Sequence, residues 1–325
     1  VLDLSSVLSS HGDFMPKFYL ILCIALGLVA CQDKPAEPVS DAPSSVEPSA
    51  VVQSPESPAA QQPPDFWVQL DDTLKADHRS EANRARDIFR HPKETLQFFD
   101  LQPDTTVIEI TPGGGWYTEI LGPWLKGRGK LIAALIDAKS VTNEKASAYY
   151  EKSNQAFREK IADTSLYGPI EVIEIDSKAP SLGSDNSVDS VVTFRNVHNW
   201  TSAGNDAAMF KAFFNVLKPG GWLGIEEHRA KPGTSIDKSK KSGYLTEEYV
   251  IKLATDAGFV LLSKSEINAN PKDTTDHPNG VWTLPPTLDV PEGKDKAEFQ
   301  AIGESDRMTL RFIKPKSTGV ANASN

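Results

Sequence analysis

The chain has 325 residues, with 34 Lys and Arg against 44 Asp and Glu, a net charge of −10 and only two cysteines. An acidic surface repels phosphate backbones, so nucleic acid is excluded as a partner unless a local basic stripe exists. The basic run Lys238-Ser239-Lys240-Lys241 reads as a solvated loop.

Residues 1–14 precede a start at Met15 and are read as an over-extended gene model. Met15-Pro16-Lys17 then opens a short positive region, and Phe18 to Ala30 is an unbroken apolar run. About 13 residues are too few to cross ~30 Å of hydrocarbon as a helix, but they suit the apolar part of a secretory signal at 15–30. The run ends in Leu28-Val29-Ala30-Cys31, which resembles the lipobox of bacterial lipoproteins. That resemblance implies a lipidated Cys31 that anchors the chain to a membrane. Gln32 after the Cys favours the outer membrane on its periplasmic side. Cys23 lies inside the signal, so no disulfide, catalytic cysteine or cysteine-based zinc site is expected. Residues 31–64, rich in Pro, Ser, Ala, Glu and Gln with no period of 2 or 3.6, are expected to be a disordered tether.

From Asp65 to Lys316 the composition is that of a folded domain, followed by a tail at 317–325. Asp65-Phe66-Trp67 starts a helical stretch, and Arg79 to Phe99 carries Ala85, Ile88 and Phe89 at helical spacing. Pro92 suits the first turn of a further helix. Thr105 to Ile110 is short, β-branched and apolar, a buried strand before a glycine-rich turn. The alternation continues: helix at 116–125, strand at 129–137, helix at 141–162, strands at 170–176 and 188–194, and helix at 205–217. A turn at Lys218-Pro219-Gly220-Gly221 leads into a strand at 222–226, then a helix at 246–257 and strands at 259–267 and 308–313. Apolar strands alternating with helices predict a doubly wound, mostly parallel α/β sheet of seven strands. The Pro-, Asp- and Thr-rich segment 268–305 interrupts the rhythm and reads as an insertion before the last strand.

The strongest local signal is Val107 to Gly115, a strand that delivers Glu109 at its end and then a turn able to bring backbone N–H groups to a ligand. Together with Asp176 after the third strand, Ser187 to Val192 in the fourth and Leu217 to Leu223 before the fifth, it resembles the class I S-adenosylmethionine (SAM)-dependent methyltransferases. More narrowly, Arg195 to Trp200, Glu227-His228-Arg229 and Gly303 to Met308 resemble the exported "predicted methyltransferase" group. The resemblance implies SAM as cofactor, held by Glu109, Thr111, Gly113, Gly115, Asp137, Asp176 and Asn196. Two positions depart from it. Thr111 stands where the family has its first glycine, which a threonine can replace at negative φ. Leu135 stands where the family has the acid that pairs with the ribose, and Asp137 could substitute only if the strand runs on. Loss of that contact removes roughly 1.5–3 kcal/mol.

Asn196 and His198 follow the fourth strand and Glu227, His228 and Arg229 the fifth, and in open α/β sheets ligands sit outside the carboxyl ends of strands. A His beside a Glu can take a proton, with the carboxylate fixing its tautomer. His198, Glu227 and His228 are therefore the catalytic candidates, acting on a small-molecule or envelope-associated acceptor. With Asp176 the same residues are acceptable zinc or iron ligands, but no His-x-x-x-His spacing supports that, and no metal is assigned. Asp87, Arg90 and His91 are candidates for a helical lid. Asp306 and Arg307 are candidates for an ion pair with the insertion, and Trp116 and Tyr117 for packing. The competing readings are a ligand-binding module without methyl transfer and a nicotinamide-dependent dehydrogenase. The oligomeric state is not legible.

Overall fold

The computed structural model describes residues 65–316. The signal, Cys31, the tether and the tail lie outside the described residues. Among the described residues no helix is long and apolar enough to cross a membrane.

In chain order the elements are helices α1 (Asp65–Lys75), α2 (Glu81–Arg84), α3 (Asp87–Arg90) and α4 (Pro92–Phe98), strand β1 (Thr106–Ile110), α5 (Thr118–Leu125), β2 (Lys130–Ile136), α6 (Glu144–Lys160), α7 (Thr164–Tyr167), β3 (Glu171–Ile175), β4 (Val188–Phe194), α8 (Val197–Ala203), α9 (Asp206–Val216), β5 (Leu217–His228), α10 (Ile236–Ser242), α11 (Glu247–Ala257), β6 (Val260–Ser265), α12 (Lys296–Ile302) and β7 (Arg307–Ile313). The sheet has seven strands in the order β3-β2-β1-β4-β5-β7-β6. β1 to β5 are mutually parallel, while β7 pairs antiparallel to both β5 and β6. This is the Rossmann-like architecture implied by the resemblance.

Side chains alternate across each strand, and that alternation sorts the core into layers. Val107, Val192, Phe194 and Trp222 pack with Leu96, Phe99, Tyr117 and Leu121. Ile108, Ile110, Val191, Leu223 and Ile225 pack on the other face with Trp200, Phe210, Phe213 and Val250. β5 carries Gly224 on the first face, where an added Cβ would stand 2.7 Å from the Phe99 ring. A small residue there lets α4 approach the sheet.

Three local expectations need correction. β5 already starts at Leu217, and its pairing jumps from Val188↔Leu217 to Ser190↔Trp222, so the Lys218–Gly221 turn is looped out within the strand. Lys238 to Lys241 belong to helix α10, whose N-terminus is capped by the Ser235 side chain and which buries Ser239. Val197 to Ala203 also form a helix, α8, directly after β4. The insertion contains α12 and a 3-10 turn at Gly280–Thr283.

Candidate active site

The turn after β1 is set by backbone conformation. Thr111 has φ of +48°, Gly113 +58° and Gly115 +73°. The expectation of a negative φ at Thr111 is thus corrected. The threonine adopts a left-handed backbone that glycine adopts more easily, and its Cβ is crowded there. Its N–H donates to Ala134 O at 2.8 Å, which fixes the turn against β2. Its buried Oγ1 has no partner among the described residues. A Cβ added at Gly113 or Gly114 would meet nothing within 4 Å, so the outer side of the turn is open. Lys160, from the end of α6, holds the turn from one side by donating to Gly114 O at 2.7 Å and to Glu119 Oε1 at 2.5 Å.

Glu109 lies under this turn rather than on its open side. It is buried, and Thr118 Oγ1 donates to its Oε2 at 2.6 Å. Burial raises its carboxyl to about pH 7, against the opposing pull of Thr118 and Lys160. Leu135 is buried beside Ala133, Phe157 and Ile161, so the ribose-acid position is a core position. β2 stops at Ile136, and the Asp137 side chain accepts from Lys139 N as the cap of a 3-10 turn. Asp176, just past β3, is exposed and accepts from Lys178 N at 2.8 Å. The turn thus offers a ligand the N–H groups of Gly113 and Gly114, and the end of β2 offers no free carboxylate, since Leu135 is core and Asp137 caps the next turn.

Asn196 ties the two sides of the strand-end cleft together. Its Nδ2 donates to Ile110 O at 3.0 Å and to Thr193 Oγ1 at 3.2 Å, and reaches Thr111 O at 3.4 Å. It thereby positions the turn from β4. The residue before it, Arg195, has φ of +60° and bends the chain from β4 into α8, with its N–H donating to Glu226 O at 2.7 Å.

The adjacent carboxylates at the end of β5 face opposite sides of the sheet, as period-2 alternation requires. Glu227 faces α8. His198 Nδ1 donates to Glu227 Oε1 at 2.8 Å, and His198 N to Oε2 at 3.3 Å. The N–H of His228 adds a further donor to Oε1 at 2.8 Å. His228 Nδ1 lies 2.6 Å from Ser305 Oγ, and the two imidazole rings are 5.0 Å apart. Burial drives the His228 imidazole well below its ordinary value, helped by His198 and by Arg195, Arg307 and Arg90. This favours the neutral form of His228.

Glu226 faces the other side. It accepts from Arg195 Nη1 at 2.8 Å, Arg307 Nη1 at 2.7 Å and Tyr117 Oη at 3.1 Å, and is fully buried. Burial alone would raise its carboxyl, but the guanidiniums outweigh it and hold it below the usual range. Glu304 extends this network through Arg86 at 2.6 Å, Arg90 at 2.9 Å and Arg307 at 3.3 Å. The same balance holds Glu304 at about 2. Tyr117 stacks on Phe194 at 3.5 Å, and Arg90 lies 4.6 Å above Trp116.

His198 and His228 open onto a cavity of about 310 Å³, also lined by Arg90, Tyr149, Arg195, Trp282, Pro285, Glu304 and Ser305. His198, Glu227 and His228 also bring metal-ligating atoms within 4.8 Å of one another, while Asp176 is not in that group. Both Glu227 oxygens are already occupied by donors. Of the lid candidates, only Arg90 reaches the cavity. Asp87 is held by Arg79 at 2.7 Å, and His91 lies at the αL junction of α3 and α4. Asp306 binds Arg229 at 2.9 Å and accepts from Asn270 N of the insertion at 2.8 Å. Sequence reasoning did not assign site roles to Arg195, Glu226, Glu304, Ser305, Tyr149 or Trp282. For Glu226 the signal was available in two consecutive carboxylates at a strand end. For Tyr149 and Trp282 none was.

No family model and no curated protein matches the chain. Among solved structures it is similar to a SAM-dependent methyltransferase from Aquifex aeolicus, at 18% identity over 62% of this chain and 93% of that one, with a TM-score of 0.44. It is also similar to the [4+2]-cyclase SpnF, at 14% identity over 78% and 94% with a TM-score of 0.49. A further similarity is to a putative sarcosine dimethylglycine methyltransferase from Galdieria sulphuraria, at 13% over 77% and 98% with a TM-score of 0.46.

Proposed function

We propose that this chain is a class I SAM-dependent methyltransferase that acts on a small or envelope-associated acceptor. The observation that carries the reading is the β1 turn. Thr111, Gly113 and Gly115 all hold positive φ beside an open face, and the turn is tied through Asn196 to the strand end that carries His198. A backbone kept in the glycine conformation, despite a threonine that strains it, is a backbone shaped for a ligand.

The cofactor, when bound, supplies an electrophilic methyl group. The backbone N–H groups of Gly113 and Gly114 would hold its amino-acid end, those of Thr111 and Gly115 being engaged by Ala134 O and Pro112 O, and the orphaned Thr111 Oγ1 could take a hydrogen bond there. His198 is arranged to accept a proton at Nε2. Its Nδ1–H is committed to Glu227, which leaves the Nε2 lone pair free and stabilises the imidazolium that forms. His228, neutral and fixed by Ser305, orients the acceptor beside it. The two histidines and the cavity lie at the carboxyl ends of β4 and β5, where an acceptor would approach the β1 turn.

Calorimetry with SAM and S-adenosylhomocysteine tests this reading. Micromolar binding supports it and sinks a nicotinamide dehydrogenase. No binding at millimolar ligand would overturn it and leave a ligand-binding module on the same fold, a reading that Leu135 and the engaged Asp137 favour. His198→Ala should lower turnover about 10²–10⁴-fold while sparing cofactor affinity. Equal loss of both would move His198 into the cofactor pocket.

For location, the reading is a lipoprotein on the periplasmic side of the outer membrane, anchored through Cys31. Leu28-Val29-Ala30-Cys31 and the polar segment after it support this. Cys31→Ser should move the chain from the membrane fraction to the soluble one; persistence in the membrane fraction would refute a lipid anchor at that residue.

A further inference from the structure

We propose that the cavity at the carboxyl ends of β4 and β5 recognises its acceptor through an anionic group, a carboxylate or a phosphate, seated on Arg90 and Arg195, with an apolar body against Tyr149 and Trp282. Its role as an acceptor pocket rests on the methyltransferase reading; the anion site does not.

Arg90 carries the argument. Its side chain is only 4% exposed, and its Nε is committed to Glu304 at 3.2 and 2.9 Å. Its two terminal nitrogens have no hydrogen-bond partner among the described residues, and the residue lines the cavity. The terminal donors are not among the buried atoms left without a partner, so they are accessible where Arg90 lines the cavity, available to an acceptor there. Arg195 is in a similar position. Nη1 is held by Glu226, while its other nitrogens have no partner among the described residues, and it too lines the cavity.

The local charge balance points the same way. Four guanidiniums, of Arg86, Arg90, Arg195 and Arg307, share two carboxylates, of Glu226 and Glu304, in direct ion pairs. Of these, Arg90 and Arg195 line the cavity. Burial, with Arg195 next, pushes the Arg90 guanidinium down to about 9, so its charge is incompletely balanced by the protein. A divalent cation at His198, Glu227 and His228 would add to that positive field. An anion relieves the field. Opposite the charged wall, Tyr149 is 64% and Trp282 36% exposed, an unusual exposure for two large aromatics on one cavity. Together they suit a small acid with a flat or apolar body, presented to His198 for transfer at a hydroxyl or amine.

The full chain can be titrated by calorimetry with benzoate, phenyl phosphate and the neutral isostere benzamide. At least one anion should bind about tenfold or more tighter than benzamide, and which one it is tells a carboxylate site from a phosphate site. Arg195→Gln should remove that preference while leaving benzamide unchanged, and Arg195→Lys should restore part of it. Equal affinity for all three probes overturns the proposal, as does an anion preference that survives in folded Arg195→Gln. Should Arg195→Gln fail to fold, Tyr149→Ala changes an exposed side chain and decides instead. It should weaken benzoate and benzamide alike, and unchanged binding of both overturns the proposal. Anion binding by a chain that fails to bind SAM would leave this site standing and remove the methyltransferase reading.

Discussion

The strand-end cleft has two sides built of different materials. Around β1 and β2 the candidate ligand groups are backbone: three positive-φ residues, a fixed turn and an open outer face. Around β4 and β5 they are side chains, with two histidines, three carboxylates and several arginines locked into a buried hydrogen-bonded network. The first side holds its shape even where the sequence changes, since Thr111 adopts the conformation of a glycine. The second depends on each partner, because removing one leaves a buried charge exposed to its neighbours.

The largest test of that contrast is Glu226→Gln. It removes the anion shared by Arg195, Arg307 and Tyr117 and should destabilise the fold by about 3–5 kcal/mol in urea titrations. A loss below about 1 kcal/mol would mean that the network is far better solvated than its burial indicates.

Next in size is the pH response, where the two sides should have opposite signs. Glu304 is depressed to about 2 from an ordinary 4.5, so its contribution is present above 4.5 and is lost as pH falls toward 2. Glu109 is raised to about 7 from the same value, so its contribution is full below 4.5 and is lost as pH rises toward 7. Each amounts to something on the order of 3 kcal/mol. Urea midpoints measured against pH should lose part of their acid slope in Glu304→Gln, Glu226 keeping the rest, and should fall less between 4.5 and 7 in Glu109→Gln. Unchanged slopes would show that neither carboxyl is perturbed in the fold.

The smallest effect is expected at Thr111. Thr111→Gly relieves the left-handed strain and should stabilise the protein by about 1 kcal/mol, visible as a higher thermal midpoint. A lower midpoint would mean that the threonine is favoured there by a contact its unpartnered hydroxyl does not reveal.

The same contrast explains what the residues disclosed before the fold was known. Val188 to Phe194 and Met308 to Ile313 announce themselves by short apolar, β-branched runs, and the order of parts from Val107 to Leu223 predicts the sheet. His198, Glu227 and His228 were legible because reactive residue types at adjoining strand ends must converge. Helix α8 was not, because Val197-His198-Asn199-Trp200-Thr201-Ser202-Ala203 has mostly weak helix formers, and its packing on the sheet decides. Arg90 and Glu304 meet across 214 positions of chain, which no local pattern encodes. The contribution of Trp282 depends on how a long irregular segment folds back over the sheet.

β7 runs against its neighbours, so its first residues rather than its last sit at the ligand end of the sheet. Glu304, Ser305 and Arg307 thus come last in chain order among the described residues that build the cleft, yet they close the network begun by Arg90 and Glu226. Until β7 is in place, β6 has no neighbour in the sheet, and Arg90 and Glu226 lack Glu304 and Arg307. Completion of the strand-end cleft and completion of the sheet are one event, so a chain truncated before β7 would lack both.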